Sequence, residues 1–244
     1  MVRAPDTRTK VIILAGGKGT RLVPYTTVFP KPLMPIDDHP ILEIVIRQLA
    51  SYGFNDITIA VGHLAELIEV FFGDGNKFGV KIEYSREDKP LGTAAPLSLI
   101  KNLPETFLVM NGDVLTTMDY RQLVQHHIEN EGVVTIAMHK KEINIDLGVM
   151  EFDNDRVLTR YTEKPTMDYQ VSMGIYVFNR DALKYFPEDT YFDFPDLIKV
   201  LLKNGEKVVC YPSDDYWLDI GRSEDYHEAN EVFSKLKDQF LKEI

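Results

Sequence analysis

Short β-branched apolar runs alternate through the first half of the chain with longer stretches whose apolar residues recur at helical spacing. That alternation predicts parallel strands joined by crossover helices. Residues 10–14 read as a buried strand. Ile41–Ser51 reads as a helix, because Ile41, Leu42, Val45, Ile46 and Leu49 fall on one face before Gly53 stops it. Asp56–Val61, 80–84 and 106–110 read as further strands, with helices expected over 64–72 and 93–102. The last of these strands ends at Asn111-Gly112-Asp113.

Beyond residue 130 the rhythm changes. Strands are expected at 133–139, 149–152, 157–161 and 172–178, with short connections such as Asp153-Asn154-Asp155, which predicts an antiparallel addition to the sheet. Phe194–Lys203 and the stretch from Ser223 to the C-terminus read as helices around a strand at 207–211. No fixed-period repeat, low-complexity tract or long Ser/Gly/Pro linker divides the chain, so it reads as one α/β unit.

Composition narrows the partners. The 244 residues carry 27 Lys and Arg against 38 Asp and Glu, a net charge of −11, which argues against an extended nucleic-acid surface. A hydrophobic share of 44% with 27% charged residues is that of a globular soluble chain. Apolar runs such as 11–15 fall far short of the roughly 18 residues of a membrane span. The first ten residues lack the apolar centre of a signal peptide, and Cys210 has no second cysteine to pair with, so the cytoplasm is the expected location.

The most informative segment follows the first strand: Leu14-Ala15-Gly16-Gly17-Lys18-Gly19-Thr20-Arg21-Leu22, then Pro30-Lys31-Pro32-Leu33. Glycines let backbone amides approach a phosphate, and strand ends in open α/β sheets are where ligands sit. Two commoner glycine motifs fail: no Gly-Lys-Ser/Thr closes a Walker loop, and no helical pattern opens at the glycines as a dinucleotide fingerprint requires. From glycine spacing alone an ordinary turn with solvated charges is equally admissible. Prolines on both sides of Lys31 point the other way, since they stiffen the arm that carries it.

The run from Leu14 to Ile36 resembles the signature of the sugar-1-phosphate nucleotidylyltransferases, GGxGTRLxPxTxxxPKPLxPI, and meets every fixed position of it. Pro90-Leu91-Gly92-Thr93-Ala94, Asn111-Gly112-Asp113, Gly148, Glu163-Lys164-Pro165 and Trp217-Leu218-Asp219-Ile220-Gly221 extend the likeness along the chain in the family's order. The resemblance implies a Rossmann-like, mostly parallel mixed sheet flanked by helices, with an antiparallel sugar-binding extension. It implies one nucleotidyltransferase domain over 1–244, with a nucleotide-binding part near 1–130, a sugar-binding part near 131–222 and a C-terminal helix at 223–244. The reaction implied is attack of a sugar-1-phosphate on the α-phosphate of an NTP, giving a nucleotide sugar and pyrophosphate.

Such chemistry asks for alignment and charge neutralisation more than for a catalytic base. A phosphate monoester with a second pKa of about 6 is already an ionised nucleophile at neutral pH. Arg21 is expected to neutralise charge on the α-phosphate and pyrophosphate, and by resemblance Lys31 supports the phosphates from the opposite side. Asp113 and Asp219 are implied as ligands of Mg²⁺, which takes a few carboxylates with phosphates and water. Read without the family, Asp113 is a turn residue and Asp219 equally a capping or turn aspartate. Leu14, Ala15, Gly16, Gly17, Gly19, Thr20, Gly92 and Thr93 are expected around the nucleotide, with a helix N-terminus at 92–93 beside the base or ribose and Glu87 as a base reader. Gly148, Glu163 and Lys164 are implied for the sugar phosphate, although the tripeptide alone reads as an exposed ion pair before a turn.

The wording of residues 90–94 resembles the guanylyl branch more than the thymidylyl branch, so GTP with mannose- or heptose-1-phosphate is preferred. No hexapeptide repeats follow the core, and a single activity is expected. A homo-oligomer is compatible with the sequence. Two rivals are a non-catalytic nucleotide-sugar-binding subunit, disfavoured by joint retention of Arg21, Lys31, Asp113 and Asp219, and a glycosyltransferase, which would carry Asp-x-Asp where this chain has Asn111-Gly112-Asp113. His126 and His127, like the scattered His39, His63, His139 and His227, read as surface or loop residues. Cys210 reads as a buried, inert thiol, and the stripe Val232, Phe233, Leu236, Phe240 as a face packed on the body or a neighbouring subunit.

Overall fold

A computed structural model of the chain describes residues 9–187 and 190–241. In chain order the elements are β1 (Lys10–Ala15), β2 (Pro35–Ile36), β3 (His39–Pro40), α1 (Ile41–Ser51), β4 (Asp56–Val61), α2 (Ala65–Phe72), β5 (Lys81–Arg86), β6 (Thr106–Asn111), β7 (Val114–Thr116), α3 (Tyr120–Asn130), β8 (Val134–Asn144), β9 (Val149–Phe152), β10 (Leu158–Thr162), β11 (Thr166–Asn179), α4 (Phe194–Lys203), β12 (Val208–Ser213), β13 (Trp217–Asp219) and α5 (Ser223–Phe240). The end of the helix expected to reach the C-terminus falls partly on 242–244, outside the described residues.

One seven-stranded sheet runs β12-β8-β11-β6-β1-β4-β5. The continuous apolar run of β1 suits its central place, where Val11, Ile12 and Ile13 are fully buried between two helical layers. β1 is parallel to β4 on one side and to β6 on the other, and β5 continues the parallel set beyond β4. The chain therefore winds outward through β4 and β5 and then crosses back to β6. The carboxyl ends of β1 and β6 thus flank a topological switch point, the usual crevice of such sheets. β11 is antiparallel to both β6 and β8, so the mixed sheet with its antiparallel extension is observed as expected.

The stripe on α5 packs on the body: Phe233, Phe240 and Ala229 join Leu22, Ile36, Ile41, Leu115 and Ile220 in one buried cluster. That cluster fixes the segments carrying Arg21 and Asp219 to each other.

Four expectations are corrected. No α-helix spans 93–102; only a 3₁₀ turn, Ala95–Leu99, forms there, because the amides of Ala94 and Ala95 are tied to the Phe192 carbonyl at 2.9 and 3.1 Å. β8 and β11 run well past the sheet, since residues 140–144 and 166–170 are exposed, mostly polar and ladder-bonded, and so give no core-facing signal. Cys210 is exposed, because β12 is the edge strand of the sheet. His127 is buried at 3% exposure, with Nδ1 2.8 Å from Thr135 Oγ1, and burial followed by the neighbouring His126 pushes its pKa down to about 4.

Candidate functional site

The glycine-rich loop leaves the end of β1 and turns at Gly19, which adopts φ 61, a left-handed conformation that favours glycine. Its carbonyl accepts from Leu22 N–H at 2.9 Å and from the Thr26 hydroxyl at 2.8 Å, so the loop is closed by its own chain. Lys31 opens the Lys31–Leu33 turn after Pro30 and is only 8% exposed, which fixes the stem of a cation whose Nζ pairs with Asp113.

Asp113 lies directly after β6, on the other side of the switch point. Asp219 reaches it through an antiparallel ladder between β13 and β7, in which Asp219 stands opposite Val114, and the Ile220 N–H donates to the Asp113 carbonyl at 3.1 Å. Burial, then the negative charge of Asp113, push the Asp219 carboxyl up, while Lys31 and Arg21 oppose the shift. The Asp113 Oδ1 is buried with no hydrogen-bond partner. Two acids that repel each other and a buried unpaired carboxylate oxygen fit a divalent cation. No set of three or more His, Cys, Asp or Glu suited to a metal occurs among the described residues, so the remaining ligands of such an ion would be phosphate oxygens and water.

Arg21 reaches the same place. Its guanidinium lies against Gly221, where a Cβ would stand 3.1 Å from Nη1 and 3.2 Å from Cζ and Nη2. Gly221 belongs to the Trp217–Gly221 run, but its service to Arg21 has no signal in the sequence.

These groups line an open cavity of about 680 Å³, large enough for a nucleotide. Leu14, Ala15, Gly16, Gly17, Gly19, Thr20, Glu87, Gly92 and Thr93 all line it, with Arg21, Lys31, Asp113 and Asp219. Glu87 rests on bare backbone: a Cβ on Gly16 or Gly62 would come 2.7 or 2.6 Å from its Oε1, and the Leu91 N–H donates to Oε2 at 3.1 Å. Burial pushes the Glu87 carboxyl up, opposed by that bond. The expected helix N-terminus at 92–93 is absent, as described above; both the N–H and the hydroxyl of Thr93 donate to Asp193 Oδ1, at 2.8 and 2.9 Å.

Gly148, Glu163 and Lys164 do not line this cavity. Gly148 and Glu163 meet instead at Tyr161 on the hairpin of β9 and β10: Gly148 packs under the phenol and Glu163 accepts from its hydroxyl at 2.8 Å, while Lys164, next in the chain, takes a left-handed φ of 44. Sequence reasoning missed Tyr191 and Asp193, which also line the cavity.

Comparison with known proteins shows the family. The chain is 35% identical over 240 residues to a UTP–glucose-1-phosphate uridylyltransferase of Synechocystis, covering 90% of this chain and 62% of the relative. It is 33% identical over 222 residues to a mannose-1-phosphate guanylyltransferase of Mycobacterium tuberculosis, covering 88% and 62%. The chain thus spans about three fifths of the length of these relatives. Among solved structures, HddC from Yersinia pseudotuberculosis superposes with a TM-score of 0.74 at 26% identity, covering 92% of this chain and 99% of that one. The same protein complexed with GMP-PN gives 0.71 at 25% identity, over 92% and 99%. The family profile described as "Nucleotidyl transferase" matches residues 10–235, from β1 into α5 and across the whole switch-point cavity, and on that ground the chain belongs to the nucleotidyl transferase family.

Proposed function

We propose that this protein is a sugar-1-phosphate nucleotidylyltransferase, which joins an NTP and a sugar-1-phosphate into a nucleotide sugar and releases pyrophosphate. The observation that carries the reading is the convergence of Arg21 and Lys31 with Asp113 and Asp219 at one end of a glycine-lined cavity. A phosphate oxygen of the sugar phosphate attacks the α-phosphorus, a new P–O bond forms, and the bond to the β-phosphate bridging oxygen breaks. Arg21 neutralises charge on the α-phosphate and the departing pyrophosphate. Lys31, paired with Asp113 in the free protein, turns its ammonium to the phosphates when they arrive. The loop from Gly16 to Thr20 takes the phosphate chain against backbone amides.

Asp113 and Asp219 would hold a divalent ion, Mg²⁺ in this reading, which would supply charge neutralisation for phosphate oxygens that the two cations alone do not cover. Gly148, Glu163 and Lys164, on the hairpin beyond β8, are assigned to the sugar and its phosphate. Residues up to about 130 then form the nucleotide part, and 131–222 the sugar part, of one domain. The cytoplasm is the proposed location.

GTP is the proposed nucleotide. Guanine presents two adjacent donors, N1–H and N2–H₂, which a carboxylate such as Glu87 can accept together. Uracil and thymine flank one donor with two acceptors, which a carboxylate repels. Relatives are named for both guanylyl and uridylyl transfer, and one structural neighbour is complexed with GMP-PN. Mannose- or heptose-1-phosphate is the proposed acceptor.

Pyrophosphate release from GTP, ATP, CTP, UTP and dTTP, each with a panel of sugar-1-phosphates, tests the reading. Metal-dependent release with at least one pair is expected, and most of the rate is lost in Arg21→Ala and Asp113→Ala. Turnover in both variants equal to the wild type would overturn it.

A further inference from the structure

The loop that carries Gly92 and Thr93 owes its shape to a segment a hundred residues later in the chain. Asp193 Oδ1 accepts from the Thr93 N–H at 2.8 Å and from its hydroxyl at 2.9 Å, while Oδ2 accepts from the Tyr191 hydroxyl at 2.6 Å. The Thr93 hydroxyl oxygen in turn accepts from the Phe194 N–H at 3.0 Å. The backbones are laced as well: Phe192 N–H donates to Leu91 O at 2.8 Å, and Ala94 N–H donates to Phe192 O at 2.9 Å. Gly92, at φ 90, passes so close that a Cβ there would lie 2.7 Å from Phe192 O and 2.9 Å from Asp193 Oδ1.

This clasp ends in the cavity. Tyr191 lines it with 59% of its surface exposed and its hydroxyl held by Asp193. A tyrosine anchored at its hydroxyl keeps an apolar ring available for a base or ribose at little entropic cost. Arg21, Lys31, Asp113 and Asp219 take no part in any of these bonds, so the clasp orders the wall of the cavity and not its charged end.

We propose that Asp193 is a positioning residue for the nucleotide: through Thr93 it fixes the 91–94 loop, and through Tyr191 it fixes an aromatic wall, so that nucleotide affinity depends on a carboxylate that belongs to the sugar-side half of the chain. The proposal rests on the reading of this cavity as the nucleotide site. A carboxylate that accepts three donors with its two oxygens orders its neighbours more than a neutral side chain does. Loss of the clasp leaves the loop to be ordered by the ligand at binding, which lowers affinity.

The test is equilibrium dialysis of GTP, and of UTP in parallel, against the full chain in the absence of sugar phosphate, together with melting temperatures and steady-state kinetics. Asp193→Ala is expected to weaken GTP binding about tenfold, and Thr93→Val to do likewise, with the double variant no weaker than the worse single one because both break the same clasp. Asp193→Asn keeps an oxygen that accepts from Thr93 but loses the charge and the acceptor for Tyr191, and is expected to bind GTP more tightly than Asp193→Ala and more weakly than the wild type. In turnover, the KM for GTP is expected to rise more than kcat falls, whereas a merely structural role would lower the melting temperature and kcat together. If Asp193→Ala does not fold, Thr93→Val at its exposed position decides the question. Wild-type GTP affinity in Thr93→Val and Asp193→Ala would overturn the proposal while leaving the nucleotide site standing. Failure of the wild type to bind any nucleotide would overturn both.

Discussion

The guanidinium of Arg21 lies against the backbone of Gly221, at the distance where an alanine methyl would stand 3.1 Å from Nη1. Gly221 does not adopt a left-handed backbone, so alanine there strains nothing but the arginine. Gly221→Ala is therefore expected to fold normally and to displace the guanidinium by part of an ångström. Misplacement on that scale at a charge-neutralising group costs about ten- to a hundredfold in rate. Pyrophosphate release at saturating substrate measures it, with the melting temperature as control; unchanged turnover would separate Arg21 from the chemistry.

How much of this was legible in the chain depends on whether the deciding contacts are local. Ile41–Ser51 and Phe194–Lys203 are helices over the expected residues, because their apolar spacing and boundary signals lie within the segments themselves. The glycine loop, Arg21 and Lys31 could be named from one continuous motif. The meeting of Asp219 with Asp113 could not be derived from spacing, since it depends on the three-residue ladder of β13 on β7, too short to register as a strand pair. The helix expected over 93–102 failed for the same kind of reason: its amides are captured by Phe192 and Asp193, partners that no local pattern reveals. Cys210 was misread because a β-branched neighbourhood does not tell an edge strand from a central one.

Asp219 is held half-buried beside a second carboxylate, and this like-charge contact disfavours the metal-free protein at neutral pH. Asp219→Asn removes the repulsion. The variant is expected to melt at or above the wild-type temperature in chelator, and to lack the rise in melting temperature that millimolar Mg²⁺ is expected to give the wild type. Calorimetry with and without Mg²⁺ checks both; an equal Mg²⁺-induced rise in the variant would remove Asp219 from the ion's ligands.

His127, outside the cavity, gives the fold a dependence on acid. Its folded pKa of about 4 lies below the ordinary 6.5, so the unfolded chain binds the proton more readily. The corresponding stability is present in full above pH 6.5 and is lost as the pH falls from 6.5 toward 4. Fully developed, the shift amounts to on the order of 3 kcal/mol. Other groups also titrate in this window, so the measurement is the difference between wild type and His127→Gln in urea midpoints at pH 7.5 and pH 5. The wild type is expected to lose more stability than the variant between the two; equal losses would show that His127 is protonated without cost.

Glu87 provides the sharpest test of the base. Its carboxylate lies on the bare backbones of Gly16 and Gly62, which leaves it little room to turn away from a bound base, and the Leu91 N–H holds one of its oxygens. Against guanine a carboxylate accepts from N1–H and N2–H₂ at once, whereas an amide in the same place offers one acceptor and one donor. Glu87→Gln therefore trades a matched contact with guanine for one that suits the donor-acceptor edge of uracil or thymine. The ratio of kcat/KM for GTP over UTP is expected to fall by about tenfold or more, the scale set by one mismatched charge-assisted hydrogen bond. Because burial raises the carboxyl of Glu87 above its ordinary value, the proposed preference for GTP is expected to weaken as the pH is lowered and the group takes up its proton, and the Gln variant is expected to show no such trend. A GTP-to-UTP ratio that is the same in both proteins and flat with pH would assign base selection to another part of the cavity wall.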